Sequence, residues 1–120
     1  MLLLIEYPRC STCQKAKQFL KMNNVEFKTR DIVEDKLSEE EIRNLYKKSN
    51  GSLARFFNTS GSLYRQMRLK DRIHSMSEDE MIKLLASNGM LVKRPILVSS
   101  QHVTCGFKEA TFSDIIKSVI

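Results

Sequence analysis

Two cysteines separated by two residues, Cys10 and Cys13, are the part of this sequence best suited to chemistry. They lie where a short apolar run, residues 2–7, meets Pro8 and gives way to a helical pattern. The run predicts a buried strand, and the pattern predicts a helix whose apolar face is formed by Ala16, Phe19 and Leu20. The cysteine pair is therefore expected at the junction between the first strand and the first helix.

Cys10 is predicted to be a reactive thiolate. At the start of a helix, unpaired backbone N–H groups and the positive end of the helix dipole favour a thiolate over a thiol. Arg9 and Lys15 add positive charge nearby in the sequence. A thiol with a pKa of about 8.5 is only a few per cent ionised at neutral pH, whereas one with a pKa of about 6 is about 90% ionised. Cys10 is thus a candidate nucleophile.

Cys13 follows one helical turn later and is the candidate resolving thiol. Its attack on a mixed disulfide or adduct at Cys10 would leave an internal, redox-active Cys10–Cys13 disulfide. Two other interpretations remain open, namely that both cysteines are small buried residues or that they bind a metal. A metal site needs a second pair of ligands, and the remaining candidates, Cys105, His74 and His102, form no second close pair. We expect Cys105 to be a buried, inert thiol in a strand and both histidines to be exposed.

Arg94 precedes Pro95 at the predicted start of the third strand. The proline forces Arg94 into an extended conformation, and the Arg94–Pro95 bond is a candidate for the cis form. If the sheet brings this position beside the first helix, Arg94 could hold an oxyanion over Cys10, because its planar fork of donors fits arsenate, phosphate or a carboxylate. A surface charge is the alternative interpretation.

The order of the predicted elements is a β-α-β unit, a helical block and a β-β-α unit. The strands of the two units would form the sheet that positions the cysteine pair. Residues 25–32 alternate as a second strand, and residues 96–99 and 103–105 indicate a hairpin. A final amphipathic helix carries Phe112, Ile115, Ile116 and Val119. Two of the four helical segments in the middle begin at capping boxes, Ser38 with Glu41 and Ser77 with Glu80. The apolar positions of these segments are Ile42, Leu45 and Tyr46; Leu53, Phe56 and Phe57; Leu63 and Met67; and Met81, Leu84 and Leu85.

The composition is that of a single folded domain. The chain has 120 residues, of which 42% are hydrophobic and 28% charged, and these values argue against intrinsic disorder. Its longest apolar run, residues 1–5, is too short for a membrane span, and Glu6 ends it too early for a signal peptide, so we expect a cytosolic protein without a membrane partner. In a reducing compartment, three cysteines are not expected to form structural disulfides.

The net charge of +6 suggests an anionic substrate or partner. A basic cluster is formed by Arg65, Arg68, Lys70 and Arg72, which could contact an acidic partner or form a solvated helix face. Because no stacking aromatic residues are interleaved with these cations, we expect no direct binding of nucleic acid.

The sequence resembles the ArsC/Spx family over essentially its whole length. The resemblance is carried by the motif Tyr7-Pro8-Arg9-Cys10-Ser11-Thr12-Cys13, the helical middle, Arg94-Pro95-Ile96 and Gly106-Phe107-Lys108-Glu109. It is closer to the Spx-type members, which have the cysteine pair, than to the well-understood arsenate reductases. The resemblance implies an α/β, thioredoxin-like (glutaredoxin-like) mixed sheet in one ArsC-like domain, residues 1–120. Residues 1–33 and 90–120 would form the core, and residues 36–89 the helical insertion.

The resemblance also implies a function for the site. Cys10 is the catalytic nucleophile with Cys13 as resolving thiol, Arg94 binds the oxyanion, and arsenate is the substrate. No cofactor or metal is bound, and glutathione with a glutaredoxin, or a thioredoxin, is the external reductant. Asn58 and Gly106 stand where the reductases have two further oxyanion-binding arginines. The alternative function is that of an Spx-like redox-sensing regulator that binds RNA polymerase.

Overall fold

A computed structural model describes residues 1–119, so the expected domain end at Ile120 lies outside the described residues. The described residues form four strands: Leu2–Glu6 (β1), Phe27–Asp31 (β2), Ile96–Val98 (β3) and Val103–Cys105 (β4). They also form six α-helices: Ser11–Met22 (α1), Glu39–Ser49 (α2), Ser62–Gln66 (α3), Leu69–Arg72 (α4), Glu78–Ser87 (α5) and Glu109–Val119 (α6). Short 3-10 helices cover Leu53–Phe56, Ile73–Ser75 and Gly89–Leu91.

The four strands form one mixed sheet in the order β2-β1-β3-β4. β1 is parallel to β2, as a strand-helix-strand unit requires, and antiparallel to β3. β3 and β4 form the expected antiparallel hairpin, in which the Ser99 N–H donates to the His102 carbonyl over 2.8 Å. The predicted mixed α/β class, with helices between a β-α-β and a β-β-α unit, is confirmed.

The core of the sheet lies on the face that α1 and α6 cover. Successive side chains of a strand point to opposite faces, so Leu2 and Leu4 share one face of β1. They pack in one buried cluster with Ala16 and Leu20 of α1 and with Phe112, Ile115 and Ile116 of α6. These contacts fix α1, and therefore the cysteine pair at its start, against the end of β1.

Helices α2 and α5 begin and end where the sequence predicts. Both capping boxes are formed, Ser38 with Glu41 at α2 and Ser77 with Glu80 at α5. Asn50 ends α2 in the left-handed conformation, which asparagine tolerates better than most residues. Further contacts join α2 to α5, because Arg43 Nη2 lies 3.1 Å from Asp79 Oδ1 and the Tyr46 hydroxyl donates to the Glu78 carboxylate.

Several details of the helices differ from the prediction. In α3 the buried residue is Tyr64, whereas Leu63 and Met67 are only half-buried. The buried residues of α5 are Ile82 and Leu85, not Met81 and Leu84, which are only half-buried. Val119, expected on the buried face of α6, is 38% exposed. Helix α4 was not predicted, because the chain turns at Arg68, which has a φ of 55° that the sequence does not signal.

Contacts group the chain into two compact units. One contains Met1–Asp31 and the segment that begins at Arg94, and therefore the whole sheet with α1 and α6. The other, Ile32–Lys93, contains α2 to α5 and the 3-10 helices. No helix within residues 1–119 is long and apolar enough to cross a membrane.

Candidate active site

A tight turn at the end of β1 places Cys10 at the start of α1. The Cys10 N–H donates to the Tyr7 carbonyl over 2.9 Å, which closes a four-residue turn with Pro8 at its second position, where the fixed φ of proline suits a turn. The Gln14 side chain donates to the Pro8 carbonyl over 2.6 Å and ties the turn to the helix. Cys10 itself is the N-cap residue of α1, with an extended backbone and a half-buried side chain.

The surroundings of Cys10 favour its thiolate. Partial burial alone would raise the pKa of this thiol. The Cys13 N–H and thiol, the Arg94 guanidinium and the Thr12 N–H outweigh it by interacting with the sulfur, so the pKa of Cys10 is lowered below its ordinary value. Neither amide forms a regular capping hydrogen bond with the side chain, so both act as nearby dipoles. The lowered pKa makes Cys10 the stronger nucleophile of the pair.

Cys13 has the opposite surroundings. Its side chain is completely buried, and burial raises the pKa of this thiol to about 12. The Tyr7 N–H, whose nitrogen lies 3.5 Å from the Cys13 sulfur, partly opposes the rise, whereas Cys10 and the negative charge of Glu6 add to it. In the reduced protein, Cys13 is therefore a protonated thiol that stabilises the neighbouring thiolate by hydrogen bonding.

Arg94 lies at the same end of the sheet, just before β3. Its bond to the buried Pro95 is cis. The guanidinium carbon lies 5.1 Å from the centroid of the Tyr7 ring, within the range of a cation–π contact. Nε and Nη1 are buried and donate to no acceptor among the described residues. Two unsatisfied donors beside a thiolate suit a ligand with two negatively charged or polar oxygens.

The structure brings together three residues that the sequence nominated, Cys10, Cys13 and Arg94. The cation that interacts with the Cys10 sulfur is Arg94. Arg9 and Lys15, which the sequence suggested for this role, are both exposed. No disulfide joins the three cysteines of the chain.

The other nominated residues lie at defined places in the fold. Cys105 is half-buried on β4 opposite Ile96, so the expectation of a buried thiol was wrong in degree. A three-residue strand at the edge of the sheet has no neighbour on one side, which explains the partial exposure. His74 and His102 are exposed, as predicted.

Gly106 and Asn58 are the positions at which the family resemblance implies arginines in the reductases. In this structure both form hydrogen bonds through their backbones. Gly106 has a φ of 85°, a region that residues with a Cβ rarely adopt, and its N–H donates to the Pro95 carbonyl over 2.7 Å. Asn58 belongs to the other unit, where its N–H donates to the Leu91 carbonyl and its own carbonyl accepts from the Gly61 N–H.

Two residues of the site were not nominated from the sequence. Tyr7 contacts Cys10 and Cys13 through its backbone and Arg94 through its ring. Glu6 is 4% exposed and forms an ion pair with Lys17. A carboxylate inside an apolar strand is the signal that could have drawn attention to Glu6, since acidic residues are seldom fully buried.

Among residues 1–119, no group of three or more histidine, cysteine or acidic side chains is arranged to hold a metal ion. The basic cluster on α3 and α4 is exposed, and two of its arginines donate to backbone carbonyls, Arg65 to Ser60 and Arg72 to Met67.

Comparison with known proteins gives relatives along nearly the whole chain. The uncharacterised protein YusI of Bacillus subtilis is 48% identical over 108 residues, 90% of this chain and 92% of its own length. The regulatory protein MgsR of Bacillus subtilis is 27% identical over 84% of this chain and 79% of its own length.

Solved structures agree with the fold. A protein described as ArsC-family related, from Bacteroides fragilis, is 43% identical, with a TM-score of 0.93 over 95% of this chain and 96% of its own. A possible arsenate reductase from Streptococcus mutans is also 43% identical, with a TM-score of 0.83 over 90% of this chain and 92% of its own. These likenesses confirm the thioredoxin-like fold. The family model described as ArsC family matches residues 5–115. The chain belongs to the ArsC family.

Proposed function

We propose that this protein is a cytosolic thiol-disulfide redox protein of the arsenate reductase-like class, with Cys10 as the nucleophile, Cys13 as the resolving thiol and arsenate as the substrate. The observation that carries the proposal is the placement of Arg94. Its guanidinium interacts with Cys10 and helps to lower the pKa of that thiol, and two of its donors, Nε and Nη1, are buried without an acceptor among the described residues. A tetrahedral oxyanion with several charged oxygens would satisfy those donors and present its central atom to the sulfur.

The first step forms a bond between sulfur and arsenic. The Cys10 thiolate attacks arsenic(V), and one arsenic oxygen leaves as water after it takes up a proton. Arg94 holds the remaining oxygens and neutralises part of their charge. Cys10 needs no base for this attack, because its surroundings already favour the thiolate.

The second step transfers two electrons to arsenic. The sulfur of Cys13, after losing its proton, attacks the sulfur of Cys10, and the electron pair of the S–As bond passes to arsenic. Arsenite leaves, and an internal Cys10–Cys13 disulfide remains. Glutathione could attack instead and leave a mixed disulfide on Cys10. In either case a glutaredoxin or a thioredoxin returns both cysteines to thiols, so the protein needs no bound cofactor.

Arsenate turnover measured with glutathione plus glutaredoxin, and separately with thioredoxin, tests this function. We expect turnover with one of the two systems, none in Cys10→Ser, and a large fall in Arg94→Met. An exposed cation of the other unit, Lys83, provides the matched control, and Lys83→Met should behave like the unchanged protein. Absence of turnover with both reductants would reject arsenate as the substrate.

A second candidate function is that of a redox-sensing regulator of the Spx type. It is favoured by the likeness to MgsR, whose name describes a regulatory protein, and by the paired cysteines that resemble Spx-type members. Formation of the Cys10–Cys13 disulfide would then alter the binding of RNA polymerase. A pull-down of RNA polymerase with the oxidised and the reduced protein tests this function, and lack of binding in both states would reject it.

A further inference from the structure

Glu6 is a buried carboxylate to which the proposed mechanism gives no role. It is 4% exposed, and alternation along β1 places it on the same face as Leu2 and Leu4, the face that packs against α1. A carboxylate at this depth loses the hydration that stabilises its charge. Its presence between the sheet and α1 therefore requires compensation.

The surroundings of Glu6 place it within electrostatic range of Cys13. Its Oε1 lies 3.1 Å from Lys17 Nζ, and Lys17 follows Cys13 by four residues, so both project from the same face of α1. The amide after Glu6, that of Tyr7, donates to the Cys13 sulfur. Glu6 Oε1 is buried and, despite the ion pair, accepts no hydrogen bond of regular geometry from the described residues. One lone pair of this carboxylate thus remains available, and the charge of the carboxylate acts on the Cys13 thiol.

We propose that Glu6 is the base that takes the proton of Cys13 when Cys13 resolves a mixed disulfide on Cys10. The inference rests on the proposed thiol chemistry of the pair. In this step the proton moves from the Cys13 sulfur to the Glu6 carboxylate, directly or through one water molecule. The Cys13–Cys10 disulfide bond forms as the bond from Cys10 to its partner sulfur breaks, and the partner leaves as a thiolate. Glu6 later returns the proton to solvent or to the departing thiolate.

The chemistry of the site explains why a base is needed. Burial holds the proton on Cys13 in the reduced protein. A disulfide-bonded Cys10 carries no charge, so it no longer opposes ionisation of Cys13, whereas Glu6 still does. An acceptor within the site removes this obstacle, because proton transfer to Glu6 neutralises the charge that opposes the thiolate.

Several charged groups surround Glu6. Lys17 faces it from α1, where its ammonium forms an ion pair with the carboxylate. Asp31 is its register partner on the parallel strand β2. Arg94 lies beyond the end of β1, over Tyr7, and adds a second positive charge near the site. The pH profile of the resolving step therefore reports this group of charges and not one isolated carboxyl.

The two thiol steps can be followed separately with 5,5′-dithiobis(2-nitrobenzoate) and a stopped-flow absorbance measurement. Cys10 attacks the reagent and releases one thionitrobenzoate, and Cys13 then resolves the mixed disulfide and releases a second. A Cys105→Ser background restricts the reaction to these two thiols. In Glu6→Gln we expect the second phase to slow at neutral pH by about 100-fold, the lower end of the loss typical of a missing general base. The first phase should change little.

The direction of the change separates a base from a bystander charge. If Glu6 acts only through its negative charge, Glu6→Gln makes Cys13 easier to ionise, so the second phase becomes faster. A faster or unchanged second phase therefore overturns the proposal. Glu6→Asp, which keeps the carboxylate, should recover part of the rate. Glu26→Gln, a change of an exposed carboxylate in the same unit, should leave both phases unchanged.

The pH dependence of the second phase, measured in the protein that retains Glu6, provides a test that does not depend on how well the Glu6→Gln variant folds. With Glu6 as base, the rate of the second phase does not follow the hydroxide concentration, because the proton acceptor lies within the site. A thiolate in equilibrium with solvent instead requires a tenfold rise for each pH unit up to the pKa of Cys13, and that result would reject the base. Failure of the proposed function has a different signature, since an unreactive Cys10 shows no rapid first phase.

Discussion

The guanidinium of Arg94 stacks over the ring of Tyr7, with 5.1 Å between the guanidinium carbon and the ring centroid. Tyr7 also accepts the Cys10 N–H through its carbonyl and donates its own N–H to the Cys13 sulfur. One residue at the end of β1 thus contacts all three nominated site residues. This contact orients a cation whose Nε and Nη1 are buried and donate to no acceptor among the described residues.

Loss of the Tyr7 ring should release Arg94 without changing any charge. In Tyr7→Leu we expect the pKa of Cys10 to rise, because Arg94 no longer stays beside the sulfur, and stability to fall by about 0.5–2 kcal/mol, the range of a cation–π contact. Tyr7→Phe keeps the ring and should show neither effect. Rates of iodoacetamide alkylation against pH and urea denaturation measure the two quantities. Equal alkylation profiles for Leu and Phe would show that the ring does not position Arg94.

Removal of the Arg94 charge should make Cys10 a weaker acid. The guanidinium stabilises the thiolate, so Arg94→Met should shift the midpoint of Cys10 alkylation to higher pH. Arg9→Met is the matched control, because Arg9 is adjacent to Cys10 in the sequence but exposed. Its midpoint should not move. A larger shift from Arg9 than from Arg94 would mean that proximity in sequence, not the geometry at the start of β3, activates the thiol.

The buried thiol of Cys13 should make the reduced protein less stable in alkali. The pKa of Cys13 is about 12 in the folded protein against 9.0 ordinarily, so between these values the unfolded chain ionises and the folded one does not. Stability is fully present below pH 9.0 and is lost as the pH rises towards 12. Urea denaturation at pH about 8 and about 10.5 measures the loss, which should be smaller in Cys13→Ala. Equal losses in both proteins would contradict the raised pKa.

Gly106 should be destabilised by any side chain, including the arginine that the family resemblance implies for the reductases at this position. Its φ of 85° costs a residue with a Cβ about 1–2 kcal/mol, so Gly106→Ala and Gly106→Arg should both lower stability by about that amount. Lys108→Ala, a change at an exposed neighbour, should stay within about 0.5 kcal/mol. Thermal or urea denaturation is the measurement. A stable Gly106→Arg with raised arsenate turnover would show that this position can serve an oxyanion site.

Local signals of the sequence predicted the cysteine junction and most elements of the fold. These signals are the cysteine spacing, Pro8 and the two capping boxes. Each acts within a few residues, so the local structure that it produces depends little on the rest of the chain. The buried face of α5 was misjudged because Met81, Ile82, Leu84 and Leu85 fit two overlapping helical stripes. Packing in the folded protein, which the sequence pattern does not contain, selects Ile82 and Leu85.

The long-range contacts of the site were harder to foresee. Arg94 was nominated from its proline and the family resemblance, but its contact with Tyr7 depends on the antiparallel pairing of β1 with β3. Arg9 and Lys15 were expected to activate Cys10, but the cation that interacts with the sulfur is Arg94. Closeness along the chain does not determine which cation reaches the sulfur. In the sequence, Glu6 marks only the end of an apolar run, so it was not identified as a site residue. Its burial against α1, which only the folded structure shows, places a carboxylate near the cysteine pair.

Among the glycines of the helical unit, Gly89 should lose the most stability when it is replaced by alanine. A Cβ added there would lie 2.1 Å from the Ile32 carbonyl oxygen and 3.2 Å from the Val33 Cα, both backbone atoms that cannot rotate away. Gly89→Ala should therefore destabilise the protein by about 1–3 kcal/mol or more, as overpacking of a buried site does. Gly51→Ala is the matched control in the same unit, because the nearest atom to its added Cβ is 3.9 Å away, and it should change stability by less than about 1 kcal/mol. Urea denaturation of both variants measures the difference, and equal stabilities would refute the close approach of the Gly89 and Ile32 backbones.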